Sequence, residues 1–374
     1  MDKSLVYKIA LAGIPRIGGV LAKKLISYTG SVEQVFKTRK SSLLKIPGVG
    51  KQLAENILAS SSLERAEKEI DFIQKHKIKT FFYLDEDYPS RLKQCADCPV
   101  LLYSLGNASL NEGKFISIVG TRHATGYGVS VCAEIVKNLA EAGHEITIVS
   151  GLAYGIDIAA HKAAIQHQLA TIAVLGHGLQ TIYPAVHKKY VRSIIEKGLL
   201  LTDFTSQCII DKTNFIRRNR IIAGLSDATL VVESGEKGGA LITADIANSY
   251  NRDVFAVPGR STDNYSKGCN KLIKTNKAAL VETATDIEYL MGWDKKNRQP
   301  AVQKQLFYDL STDEQKIIEL LKTKDYTIDE LCMSLRQPTS VISPRLLQME
   351  FAGMINSLPG KVYRLVGGVV CEIE

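Results

Sequence analysis

The chain has 374 residues, 45% of them hydrophobic and 23% charged, which excludes overall disorder and fibrous structure and predicts two or three domains. No run approaches the ~18 apolar residues of a membrane span, and the Met1-Asp2-Lys3-Ser4 start leads into no signal-like core, so a cytoplasmic protein without membrane attachment is expected. The formal charge of +8 is concentrated, because residues 1–80 hold 15 Lys/Arg against 7 Asp/Glu while the remainder balances at 32 of each; such a field favours polyanions, nucleic acid first.

Residues 14–26 and 46–58 form an internal repeat: Ile14-Pro-Arg-Ile-Gly-Gly-Val-Leu-Ala-Lys-Lys-Leu-Ile26 aligns without gaps on Ile46-Pro-Gly-Val-Gly-Lys-Gln-Leu-Ala-Glu-Asn-Ile-Leu58. Each copy reads as a helix end, a tight glycine turn and an amphipathic helix. The unit resembles a helix-hairpin-helix motif, doubled in a small all-α domain over residues 1–80. Gly18, Gly19, Gly48 and Gly50, with Lys23 and Lys51 beside them, form an auxiliary DNA-binding candidate, since a helix start aims N–H groups at phosphate. A small helical domain whose glycine turns only pack, or bind a protein, is the competing reading. Residues 63–79 read as one amphipathic helix and 81–114 as a mixed connector. Cys95-Ala-Asp-Cys98 has the spacing of half a zinc knuckle, but no second Cys or His pair follows. The seven cysteines therefore read as reduced structural thiols, with no metal expected.

From residue 115 short apolar runs alternate with helical segments: 115–119, 145–149, 171–175, 199–202, 229–233 and 253–257 read as buried strands. The alternation predicts an α/β, Rossmann-like, doubly wound and mainly parallel sheet over 81–292, with ligands at the carboxyl ends of its strands. A polar linker spans 293–306. Over 307–374, a capping box at Ser311-Thr-Asp-Glu314, three helices and a hairpin about Pro359-Gly360 spell a winged helix. Its third helix offers Arg345 and few other cations, so packing or protein binding fits as well as DNA.

Four glycine-rich loops fall at strand ends: 119–128, 150–157, 175–178 and 234–243. Glycine before a helix N-terminus exposes N–H donors, so together they predict a phosphate-binding surface. The first loop lacks the Gly-x-Gly-x-x-Gly spacing, the second strand ends in Ser150-Gly151 instead of an acid, and no Walker loop is present. NAD and ATP are thereby disfavoured, and no cofactor is expected. Lys212-Thr-Asn-Phe-Ile-Arg-Arg-Asn-Arg220 packs four cations and an aromatic into nine positions. Cations neutralise phosphates and Phe215 offers a stacking face, a combination suited to unpaired strands. Equally, the arginines could form caps or interdomain salt bridges around a core Phe215.

In this order, Val119-Gly-Thr-Arg122, Ser150-Gly-Leu-Ala-Tyr-Gly-Ile-Asp157 with Ala160-His161, Gly176-His-Gly178 with Tyr183-Pro184, Phe215-Ile-Arg-Arg-Asn-Arg-Ile-Ile-Ala-Gly-Leu225, Gly239-Ala-Leu-Ile-Thr-Ala244, Ala256-Val-Pro-Gly259 and Gly268-Cys-Asn270 resemble the DNA-processing protein A family (DprA/Smf). The resemblance covers about 80–290. It implies a homodimeric single-stranded-DNA-binding protein of natural transformation that protects incoming strands and helps load RecA recombinase without cleaving DNA. By the same resemblance Arg122 and Lys212 would hold phosphates and Phe215 would contact a base. Arg217, Arg218 and Arg220 would shape or line the pocket, and Gly239 and Thr243 would present donors. Gly120, Thr121, Gly151, Asn219 and Gly238 complete the candidate set. The chain departs from many members in having Gly238-Gly239-Ala240 where they have Ser-Gly-Ser, and so lacks two hydroxyl donors.

The rival reading is a nucleotide-binding or nucleotide-hydrolysing Rossmann-like enzyme. Asp157 and His161, four apart on one helix face, would be its acid/base pair, although a structural pair bracing a helix start is the simpler use. No catalytic residue is assigned. A third reading is a protein adaptor whose terminal domains dock partners.

Overall fold

The alternation from residue 114 onward folds as its apolar runs require. The computed structural model describes residues 3–293, 310–358 and 361–366. Nine strands form one sheet: β1 Lys79–Phe82, β2 Leu101–Gly106, β3 Lys114–Val119, β4 Ile146–Ser150, β5 Ala170–Val174, β6 Leu199–Thr202, β7 Ala228–Val231, β8 Asp253–Ala256 and β9 Ala279–Leu280. Their order is β1-β2-β6-β5-β4-β3-β7-β8-β9. From β6 through β9 all neighbours are parallel, whereas β2 lies antiparallel to both β6 and β1.

Helices cover both faces because alternate residues of a strand point to opposite sides. Phe115 and Val119 of β3 enter one apolar cluster with Ile221, Leu225 and Ala244, while Ile116 and Ile118 enter another with Cys132, Ile135 and Ile156. The chain leaves β3 for β4, β5 and β6 on one side and later returns to β7 on the other. The strand order thus reverses between β3 and β7, where the loops that follow diverge and open a crevice.

The stretch expected as a connector holds β1 and β2. Lys79-Thr-Phe-Phe82 is too short to show a period, and it becomes a strand by pairing with Leu101–Ser104. This hairpin is also the floor of the N-terminal helices, since Phe82, Leu101 and Tyr103 share a core with Leu11, Leu25, Leu43 and Ile70. Helices Lys3–Ala12, Gly19–Thr29, Val32–Lys37, Lys40–Leu43, Lys51–Leu58 and Ser60–His76 therefore build one compact unit with the sheet, Met1–Asp294.

The second unit, Lys295–Glu374, contains helices Thr312–Leu321, Ile328–Leu335 and Thr339–Phe351 with the strands β10 Tyr326–Thr327, β11 Ile355–Leu358 and β12 Val362–Leu365. The capping box expected at Ser311 is present, with Glu314 accepting from the Ser311 N–H at 2.8 Å. β10 adds a third strand, paired with β12, to the expected hairpin. Except for Trp293, the linker expected at 293–306 lies outside the described residues, as does the Pro359-Gly360 turn.

Candidate nucleic-acid interface

Helix Lys212–Leu225 starts where Asp211 accepts the Thr213 N–H at 2.7 Å, the side-chain cap expected of an aspartate at that position. Lys212 and Phe215, three apart, share one side of its first turn. Across the crevice, the loop after β3 carries Arg122, whose guanidinium lies 5.7 Å from the centre of the Phe215 ring. Phe215 is half-buried while Arg122, Lys212 and Arg217 are exposed. Among the described residues none of these three cations enters an ion pair.

The other two arginines are engaged inside the protein. Arg218 is 3% exposed and donates to the carbonyl of Gly151 at 2.6 Å and to that of Val174. Burial pulls its pKa down to about 10, against the attraction of Asp157, so it stays charged at neutral pH. Arg220 bonds Asp203 at 2.5 Å and the carbonyl of Asp97. Arg218 and Arg220 thus shape the cleft from beneath and do not line it. Asn219 is also buried and reaches the Gly239 carbonyl at 3.4 Å, tying two helices together.

The glycine loops also differ from expectation, because the protein itself takes their donors. Asp157 is buried beneath the same loops; burial raises its pKa, opposed chiefly by Arg218 and less by the backbone of Ala153 and Gly151. Glu233, also buried, accepts the Thr125 N–H at 2.9 Å and its hydroxyl at 2.5 Å, while the Thr121 N–H goes to the Glu233 carbonyl at 2.7 Å. Gly151, Thr121 and the neighbouring Gly120 therefore hold the loops in shape instead of offering N–H groups to a ligand. Thr243 is a further correction: it is 2% exposed, and its hydroxyl turns back to the Gly239 carbonyl at 3.4 Å. Gly238 packs on the Ser234 hydroxyl, whereas the space beside Gly239 is open. Side-chain cations, more than backbone donors, give the cleft its positive character.

Two neighbours of Phe215 lie in a family motif but outside the candidate set. Tyr183 stands 5.6 Å from Phe215, ring centre to ring centre, and His177 6.5 Å away. The His177 Nδ1 lies 2.9 Å from the Gly178 carbonyl and its Nε2 accepts the Tyr183 N–H at 3.3 Å, which fixes the loop that presents Tyr183. Gly176-His-Gly178 and Tyr183-Pro184 carried the signal, as glycine content and as family motif, without a role for either ring.

The two glycine hairpins repeat in backbone as in sequence: Gly18 has φ −88° and ψ 174°, Gly50 φ −89° and ψ 174°. Their surroundings differ. A side chain at Gly19 would strike the Cys98 carbonyl, and Lys23 donates to the Ala96 carbonyl at 3.2 Å, so the first hairpin is packed against the sheet unit. At the second, Gly50 is open, Lys51 is exposed, and Gly48 takes φ +96°, a region that disfavours side chains.

The sequence profile of the DNA recombination-mediator protein A family matches residues 79–292, more than half of the chain. The chain belongs to this family. Further profiles of a SAM-like helix-hairpin-helix tandem and a DprA winged helix domain match 8–61 and 303–361. Protein Smf of Synechocystis is 31% identical over 96% of this chain and 98% of its own length. The DNA processing protein DprA of Streptococcus pneumoniae is 39% identical over 56% of this chain and 73% of its own. An X-ray structure of the S. pneumoniae DprA superposes with a TM-score of 0.63 at 32% identity, covering 76% of this chain and 96% of that one. A structure of DNA processing protein A from Helicobacter pylori, described for its single-stranded DNA binding mode, gives 0.52 at 27% identity, covering 58% and 97%. In this DprA/Smf family member no described helix is long and apolar enough to cross a membrane, and no described cluster of His, Cys, Asp and Glu could hold a metal ion.

Proposed function

We propose that this protein binds single-stranded DNA in the crevice between β3 and β7 and acts as a non-catalytic recombination mediator. The observation that carries the reading is Arg122 lying 5.7 Å from the Phe215 ring, beside an exposed Lys212 and outside every described ion pair. A phosphate on Arg122 or Lys212 leaves its base beside an aromatic face, which duplex DNA does not offer. The H. pylori relative, described for single-stranded DNA binding, supports the same ligand here. Protection of incoming strands during transformation, loading of RecA and a homodimeric state are proposed on the family resemblance. The expected boundary between 1–80 and 81–292 falls inside one shared core and one compact unit, so only 307–374 is proposed as a separate module.

The enzyme reading loses its candidates on inspection of the site. Asp157 and His161 are 6% and 0% exposed, and each bonds within the protein. Arg122→Ala and Lys212→Ala should each weaken oligo-dT binding and lower the slope of log affinity against log salt by about 0.7. Fluorescence anisotropy at two salt concentrations measures both. Unchanged affinity in two folded variants would remove the cleft from consideration.

A further inference from the structure

A groove of about 490 Å³ runs between helices Gly126–Glu141 and Ile156–Gln166 and shares Arg122 with the cleft. Its floor is apolar and made largely of short side chains, Ala133, Ala159 and Ala163 with Ile158. Tyr154 stands at the Arg122 end, where Gly155 leads into the helix; it is 46% exposed and its ring meets His187 edge-on at 5.1 Å. Lys162 and Gln166 follow along the same helix, both exposed.

We propose that this groove is a second nucleobase site, for the base on the other side of the phosphate held by Arg122. The proposal rests on the single-strand reading above and extends it. Arg122 lies beside the Phe215 ring and also lines the groove, which Phe215 does not. A strand whose phosphate sits on Arg122 can therefore stack one base on Phe215 and direct the adjoining one to Tyr154 over the alanine floor. Lys162, about 9 Å along the helix axis from its first residue, meets the phosphate that follows. The Gln166 amide can donate or accept, so it tolerates any base edge. Both cations sit along an open groove and do not converge on one point, which suits a polymer backbone better than a single small anion.

The test uses the full chain and fluorescent oligo-dT. Tyr154→Ala should weaken binding about five-fold or more, and Tyr154→Phe should restore it, because stacking needs the ring and not the hydroxyl. Lys162→Ala, a change at an exposed position, should lower the salt slope by about 0.7. Irradiation of oligo-dT carrying 5-iodouracil should cross-link the peptide that contains Tyr154. If Tyr154→Ala and Lys162→Ala both bind as the unmodified chain does while Lys212→Ala binds weakly, the groove proposal is overturned and the cleft stands. If the unmodified chain binds no oligo-dT, both readings fall together.

Discussion

Arg217 and Arg218 adjoin in sequence but occupy opposite environments: Arg217 lies exposed over Phe204 at 5.3 Å, and Arg218 is buried beneath the strand ends. Removing Arg218 strands the buried Asp157 carboxylate without its main counter-charge. Arg218→Leu should therefore cost about 3–5 kcal/mol of stability in urea unfolding. Arg217→Ala should change stability by less than about 0.5 kcal/mol while weakening oligo-dT binding. A second residue test concerns His161, whose Nδ1 lies 2.7 Å from the Thr171 hydroxyl. That hydroxyl donates to the Ile148 carbonyl at 2.9 Å, so Nδ1 is the donor. Burial first, then nearby Arg218, pushes its pKa down to about 3. The unfolded chain takes this proton near pH 6.5 and the native one only near 3, so the contribution is complete above about pH 6.5. It is lost as pH falls, by roughly 1.4 kcal/mol per unit. Asp157, with its raised pKa, has the opposite sign: its share is present at acid pH and lost as pH rises through its native value. His161→Asn keeps a donor to Thr171 and removes the titration. The difference between the two pH–stability curves should thus slope below about pH 6.5 and be flat above it.

At the scale of elements, the parallel strands were legible because a strand buried on both faces is a continuous apolar run. Lys114–Val119 and Ile146–Ser150 fall within a residue or so of their expected bounds. β1 was not legible, because its identity comes from its antiparallel partner and not from its own four residues. The cleft was legible in residue type at Arg122, Lys212 and Phe215. In the loops glycine content announces close approach or exposed donors alike, and only the fold shows Glu233 taking the Thr125 donors. Gly176 shows the packing use. A side chain there would come within 2.8 Å of the Phe215 ring and 3.1 Å of its Cα. Gly176→Ala should push helix Lys212–Leu225 away from β5 and weaken oligo-dT binding, with a smaller loss for the exposed Gly239→Ala, where space is open. Parallel anisotropy titrations of the two variants would show equal losses if the glycines act alike.

At the scale of the molecule, the N-terminal helices are joined to the cleft physically. Glu69, buried on helix Ser60–His76, accepts the Ser206 N–H at 2.8 Å and its hydroxyl at 2.6 Å, bracing the segment that leads into Lys212. The described residues of the winged unit carry no excess of positive charge. Residues 310–366 contain seven Lys/Arg and seven Asp/Glu. Arg345 on the third helix is paired with Asp313 at 2.5 Å, and Arg364 in β12 with Asp325 at 2.6 Å. That helix exposes Leu347 and Phe351 instead, at 53% and 83%. A charge-balanced domain whose two arginines on the third helix and β12 are both paired adds little to a counterion-release equilibrium. A chain ending at residue 293 should therefore bind oligo-dT within about two-fold of the full chain and with the same salt slope. Glu69→Ala in the full chain, although far in sequence from Arg122 and Lys212, should weaken binding by loosening the 203–211 segment. Anisotropy titrations rank the two changes. A larger loss from the truncation than from Glu69→Ala would move the winged unit into the single-strand interface and leave the Glu69 brace without a role.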